Sequence, residues 1–136
     1  MKPGPLTAYT DGAARGNPGP AGAGVQILDA GGSCVAEVVR YLGEATNNVA
    51  EYSALILALE RAIELGASEL EVRSDSELMV RQMTGRYRVK NEGLKPLFER
   101  ARTLAGKLER VAYVHVRREA NREADRLANQ AIDQAR

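Results

Sequence analysis

The apolar positions of the chain change period several times, and each change marks an element. Residues 6–10 (LTAYT) read as a short strand that stops at Asp11–Gly12. The next stretch, GAARGNPGPAGAG over 12–24, holds five glycines and two prolines and reads as a loop whose backbone can approach a partner closely. Two extended runs, 23–29 and 34–41, flank Ala30–Gly31–Gly32 and predict a hairpin. From Asn47 the period becomes helical: Leu55, Leu59, Ala62 and Ile63 share a face, and Gly66 supplies the stop near Leu65. A strand over 69–74, a helix from Ser76 to about Met83, a basic turn and a helix over roughly 93–107 follow. Val111, Tyr113 and His115 then alternate with Ala112, Val114 and Val116 as in a strand, and a last helix runs from about Glu119 to Ala135.

The order is β-β-β-α-β-α-α-β-α. Three hairpin-linked strands make an antiparallel unit, and the helix-linked strands require right-handed crossovers. The expected α/β fold is a mixed sheet with helices on both faces. No linker, repeat or low-complexity tract appears, so 1–136 is expected to be one domain, a size that buries a core without staples.

Composition narrows the function classes. With 44% hydrophobic and 27% charged residues, the chain has the make-up of an ordinary globular protein. No apolar run approaches the roughly 18 residues of a membrane helix. The start, MKPGPLTAYT, is broken by Pro3, Gly4 and Pro5 and lacks a signal-peptide pattern. The single cysteine, Cys34, excludes an internal disulfide and fits a reducing, cytoplasmic setting; its apolar run places it in the core. A formal net charge of +1 favours no partner by bulk charge, so any grip on nucleic acid must be local and aided by metal ions.

The candidate chemistry lies in carboxylates. Asp11 and Asp75 each follow a strand; if the two strands are adjacent and parallel, both acids emerge at one sheet edge, where ligands bind in such folds. Taken singly each is a turn or cap aspartate, and Asp75–Ser76 has the look of a helix N-cap. Glu51 extends the Leu55–Leu59 stripe towards its helix start, and Asp125 stands on the core side of the last helix, three residues before Ala128 and seven before Ile132. Carboxylates on buried stripes are costly unless a cation or donors compensate them. Four acids without matching arginines repel one another, and a divalent metal with oxygen ligands is the simplest remedy, magnesium above all. Two such ions can clamp a phosphodiester for hydrolysis. The one histidine, His115, has no serine or cysteine partner in any recognisable pattern, and no Walker-type lysine motif occurs.

With these acids in place the sequence resembles the ribonuclease HI family. The matching segments are TDGAARGNPGPAGAG (10–24), TNNVAEYSAL (46–55), SDSELMVRQMTG (74–85) and NREADRLAN (121–129), in the family's order and at its intervals. The Arg-Glu-x-Asn-x-x-Ala-Asp lead to the last helix looks most like the compact bacterial and archaeal branch. The resemblance implies a five-stranded mixed sheet of three antiparallel and two parallel strands, and magnesium or manganese dependence. It also implies endonucleolytic cleavage of the RNA strand of RNA–DNA hybrids to 5′-phosphate and 3′-hydroxyl ends, by a monomer. Its catalytic, metal-holding acids fall on Asp11, Glu51, Asp75 and Asp125. Its 2′-hydroxyl-sensing residues fall on Asn17, Asn47 and Asn48, with the Gly12 backbone near the RNA. Asparagine both donates to and accepts from a hydroxyl, although turn or cap chemistry is the alternative for Asn17 and Asn47.

Two departures from larger members stand out. Their glycine-rich, histidine-bearing loop is contracted here to RREAN; His115 sits in an alternating strand and reads as structural, which leaves Arg118 as the assisting candidate, one able to orient phosphate but not to act as a base. Their basic helical protrusion is missing, and the short turn carrying Arg86, Arg88 and Lys90 is either a partial replacement on the DNA strand or a solvated charged turn. The competing readings are a catalytically silent hybrid-binding domain, which would lack an acid, and a DNA-specific nuclease on the same fold, against which Asn47, Asn48 and the GNPGP loop speak.

Overall fold

The computed structural model describes residues 4–135; Pro3, part of the N-terminal reading above, lies outside them. Five strands form one sheet in the order β3-β2-β1-β4-β5: β1 Leu6–Ala14, β2 Gly19–Leu28, β3 Cys34–Ala45, β4 Glu69–Ser74 and β5 Arg110–His115. Pairing is antiparallel for β1–β2 and β2–β3, parallel for β1–β4 and β4–β5. The helices are α1 Asn47–Glu64, α2 Glu77–Met83, α3 Lys95–Ala105 and α4 Arg122–Gln134, the last preceded by a single tight turn at Arg118–Ala120. The mixed α/β sheet is therefore as expected.

Alternation along β1 and β2 decides which helix covers which face. Leu6, Ala8 and Thr10 on β1, with Ala23, Val25 and Ile27 on β2, are all buried and point towards α1. Gly22 and Gly24 point the other way, and a side chain on either would collide with the Ala128 or Ala124 carbonyl of α4. Thus α1, with α3 stacked on it, covers one face and α4 the other. Helix α1 begins at Thr46, whose Oγ1 accepts the Val49 N–H at 3.2 Å. It ends where Gly66, at φ 79°, donates to Ile63 and Ala67 donates to Ala62, both carbonyls at 3.0 Å.

Three expectations need correction. β1 runs on through Asp11 and Gly12 to Ala14, and β2 already begins at Gly19, so only 15–18 of the supposed loop over 12–24 is loop. Most of its glycines are there so that helices can lie close on the sheet; only Gly16 among them needs a positive φ, 103°. Cys34 is exposed: it opens an edge strand beside the hairpin, where nothing packs over it. Asp125 is also exposed: the buried stripe of α4 is Ala124, Leu127, Ala128, Ala131 and Ile132, preceded by the buried Asn121, and Asp125 stands on its flank.

Candidate active site

The parallel ladder between β1 and β4 closes on the pair Thr10–Ser74. The next residue on each strand is an aspartate, so Asp11 and Asp75 leave the ladder side by side at one sheet edge. From α1, Glu51 enters the same space, held by the backbone N–H of Gly12, which donates to its Oε1 at 2.8 Å. Gly12 permits this approach because a side chain there would run into the Ala50–Glu51 backbone. One carboxylate oxygen each from Asp11, Glu51 and Asp75 lie within 4.8 Å of one another. Asp125 joins from α4 at the rim, close enough to Asp11 to act on its ionisation.

The electrostatic consequence is large. Asp11, 5% exposed, has its pKa pushed up to about 9, first by burial and then by the charges of Glu51, Asp75 and Asp125. Glu51, 9% exposed, is pushed up to about 8 by burial and by Asp75, against the opposing pull of the Gly12 hydrogen bond. Among the described residues no salt bridge reaches Asp11, Glu51, Asp75 or Asp125. Clustered, poorly solvated oxygens without a protein cation fit a hard divalent ion, and the lack of histidine or cysteine in the set argues against zinc.

These acids line a cleft of about 360 Å³ whose wall includes Gly12, Asn47 and Arg118. Asn47 Oδ1 accepts the Ala14 N–H at 3.1 Å, and Asn17 Oδ1 accepts the Asn47 N–H at 3.1 Å, so the 15–18 turn is laced to the start of α1. Asn48 is exposed beside them. Arg118 opens the tight turn before α4 and faces the cleft; His115, exposed at the end of β5, lines a separate groove with Arg81 and Arg86. Arg88 and Lys90 border another groove, of about 520 Å³, against Lys95 and Phe98 of α3. The basic turn is therefore exposed and split between two grooves outside the acid cleft.

Sequence reasoning missed the residues that hold the rim. Asn129 Nδ2 donates to Asp125 Oδ1 at 3.3 Å, and Arg15 reaches across from the 15–18 turn to Asn129 at 3.3 Å and to Asp133 at 2.8 Å. The available signal was spacing: Asn121 and Asn129 stand one helical turn either side of Asp125.

A family model described as "Reverse transcriptase-like" matches residues 9–131. The chain is 45% identical over 132 residues to ribonuclease HI of Halobacterium salinarum, which covers 97% of this chain and 66% of that protein. The crystal structure of the Halobacterium enzyme superposes with a TM-score of 0.93 at 44% identity, over 96% of this chain and 98% of that one. The chain belongs to the ribonuclease H family. A second ribonuclease H relative is the bifunctional protein Rv2228c of Mycobacterium tuberculosis, 50% identical over 126 residues. That alignment takes in 92% of this chain, which spans only 35% of the mycobacterial protein. The N-terminal RNase H domain of Rv2228c matches with a TM-score of 0.92 at 46% identity, over 95% and 99% of the two chains. LC11-RNase H1, solved in complex with RNA/DNA hybrid, matches with a TM-score of 0.91 at 50% identity, over 96% and 98%.

Proposed function

We propose that this chain hydrolyses the RNA strand of RNA–DNA hybrids as a divalent-metal-dependent endonuclease, leaving 5′-phosphate and 3′-hydroxyl ends. The observation that carries the reading is the convergence of Asp11, Glu51 and Asp75 oxygens within 4.8 Å, with Asp125 beside Asp11. These four carboxylates would hold magnesium, or manganese in its place. Bound there, two such ions supply activation of water and neutralisation of charge on the leaving oxygen. The protein's own part is positional: the Gly12 N–H fixes Glu51, and the β1–β4 ladder that closes at Thr10–Ser74 fixes Asp11 and Asp75.

Recognition of RNA falls to Asn17, Asn47 and Asn48, with the Gly12 backbone in the cleft wall. Since the carbonyl oxygens of Asn17 and Asn47 already accept backbone N–H groups, their amide nitrogens are the groups left to meet a 2′-hydroxyl. We assign to Arg118, which lines the cleft, the steadying of a phosphate oxygen, and to Arg86, Arg88 and Lys90, on the turn outside it, contact with the DNA strand. We read the chain as a monomer, as the family resemblance implies, in the cytoplasm. No helix among the described residues is long and apolar enough to cross a membrane.

The test is cleavage of one sequence as RNA–DNA hybrid, double-stranded RNA and duplex DNA with magnesium. Internal cuts in the RNA of the hybrid, with DNA intact, are expected. Equal attack on duplex DNA, or binding of hybrid without cleavage, would overturn the reading.

A further inference from the structure

We propose that Asn121 is a positioning residue for the acid cluster: its carboxamide ties the start of α4 to the end of β1 and to Asp75, holding the carboxylates in a metal-ready arrangement. The proposal rests on the reading of the cluster as a metal centre.

Asn121 occupies the N-cap position of α4, the place where an asparagine side chain ordinarily accepts a hydrogen bond from its own helix. Here it makes no such bond. The side chain is instead turned inward and 1% exposed. Its Nδ2 donates to the Thr10 carbonyl at 2.9 Å and faces Asp75 Oδ2 at 3.5 Å. One amide group thus spans the two adjacent strands whose next residues are Asp11 and Asp75. The backbone of the same residue accepts the Asp125 N–H at 3.1 Å, so the fourth acid is attached to it as well.

A residue that gives up a favourable local bond for two distant ones is being used for placement, not for helix stability. The interior around it supports the same conclusion. Asn121 Oδ1 and Thr10 Oγ1 are both buried without a hydrogen-bond partner, a cost that a leucine or alanine filling the same space would avoid. The donor is the part of the side chain in use. Groups that orient the carboxylates of a metal site act on affinity through their partner, and removing one commonly costs about 10–100-fold.

The discriminating variant is Asn121→Ser. Serine can cap α4, which preserves the helix, but is too short to reach Asp75. Manganese binding to the substrate-free protein, followed by calorimetry, is compared for wild type, Asn121→Ser, Asp75→Asn and the double variant, with thermal unfolding as a check on the fold. We expect Asn121→Ser to weaken manganese binding about tenfold or more while its Tm stays near wild type. In the Asp75→Asn background the same substitution should add little further loss. In cleavage assays the concentration of metal for half-maximal rate should rise, with KM for hybrid unchanged. Wild-type manganese affinity in Asn121→Ser would overturn this proposal alone. A wild-type protein that binds no manganese would overturn the metal-centre reading itself and this proposal with it.

Discussion

Gly12 and Glu51 meet at both the backbone and the side chain: the Gly12 N–H donates to Glu51 Oε1 at 2.8 Å, and the Gly12 Cα lies flush against the Ala50–Glu51 backbone. Strand β1 and helix α1 are locked together at the point where each delivers an acid. The close approach explains why the glycine stands inside a strand, a place where glycine otherwise weakens the ladder.

Gly12→Ala therefore tests packing and function together. The added methyl has backbone on its far side and no flexible neighbour to displace, so we expect a loss of about 3 kcal/mol or more, near the upper end for overpacked sites. Chemical denaturation of the metal-free protein measures it. Destabilisation below about 1 kcal/mol would show that α1 does not sit where the structure places it.

Stability of the metal-free protein will depend on pH through Asp11 and Glu51. Both are raised in the fold, to about 9 and about 8, above their ordinary values near 4. A raised carboxyl binds its proton more tightly folded than unfolded, so its stabilising contribution is complete below about pH 4 and is lost as pH climbs through 8–9. Melting temperature without metal is expected to fall between pH 5 and 9, and Asp11→Asn to flatten that fall while abolishing cleavage. Magnesium, which needs the deprotonated acids, should stabilise most at the alkaline end. Identical pH profiles for wild type and Asp11→Asn, measured by circular dichroism, would contradict the electrostatic account.

Hybrid binding will be salt-sensitive, and part of that sensitivity belongs to the basic turn. If Arg86, Arg88 and Lys90 touch phosphates, replacing all three with alanine lowers the slope of log affinity against log salt by roughly 0.9 for each phosphate no longer neutralised. Fluorescence anisotropy across a salt series reads the slope directly. An unchanged slope makes the turn a solvated surface.

Arg118→Ala should lower kcat by about 10-fold or more, with little change in KM, because the guanidinium faces the cleft that would hold the reacting phosphate. That threshold lies below the loss of about 10²–10³-fold typical of removing a donor aimed directly at transition-state charge, as suits a group that only steadies a phosphate oxygen. Full turnover in the variant would remove Arg118 from the site.

The parts of this site that depend on chain direction were legible in the sequence. Parallel pairing of the 6–10 and 69–74 runs brings the aspartate that follows each to a common edge, and they do pair, with Thr10 opposite Ser74, although β1 itself continues to Ala14. Glu51 was legible because an acid on an apolar stripe stands out, and it is buried. What was hidden depends on what lies beneath a residue. The same helical arithmetic put Asp125 in the core, but the buried stripe runs through Asn121, Ala124 and Ala128 and leaves Asp125 exposed on its flank. Glycines at 12 and 22 look like loop residues in sequence, yet they are strand residues pressed against helix backbones. The work of Asn121 and Asn129 could not be read without knowing that β1, β4 and α4 converge on one end.

The central claim is that four carboxylates from two strands and two helices form one metal centre. A crystal soaked in manganese and read by anomalous scattering tests it most directly. The account predicts peaks within about 2.0–2.6 Å of oxygens from Asp11, Glu51 and Asp75, the range of hard cations on carboxylates, with Asp125 alongside. Manganese bound elsewhere, with those oxygens bare at saturating metal and alkaline pH, would contradict it.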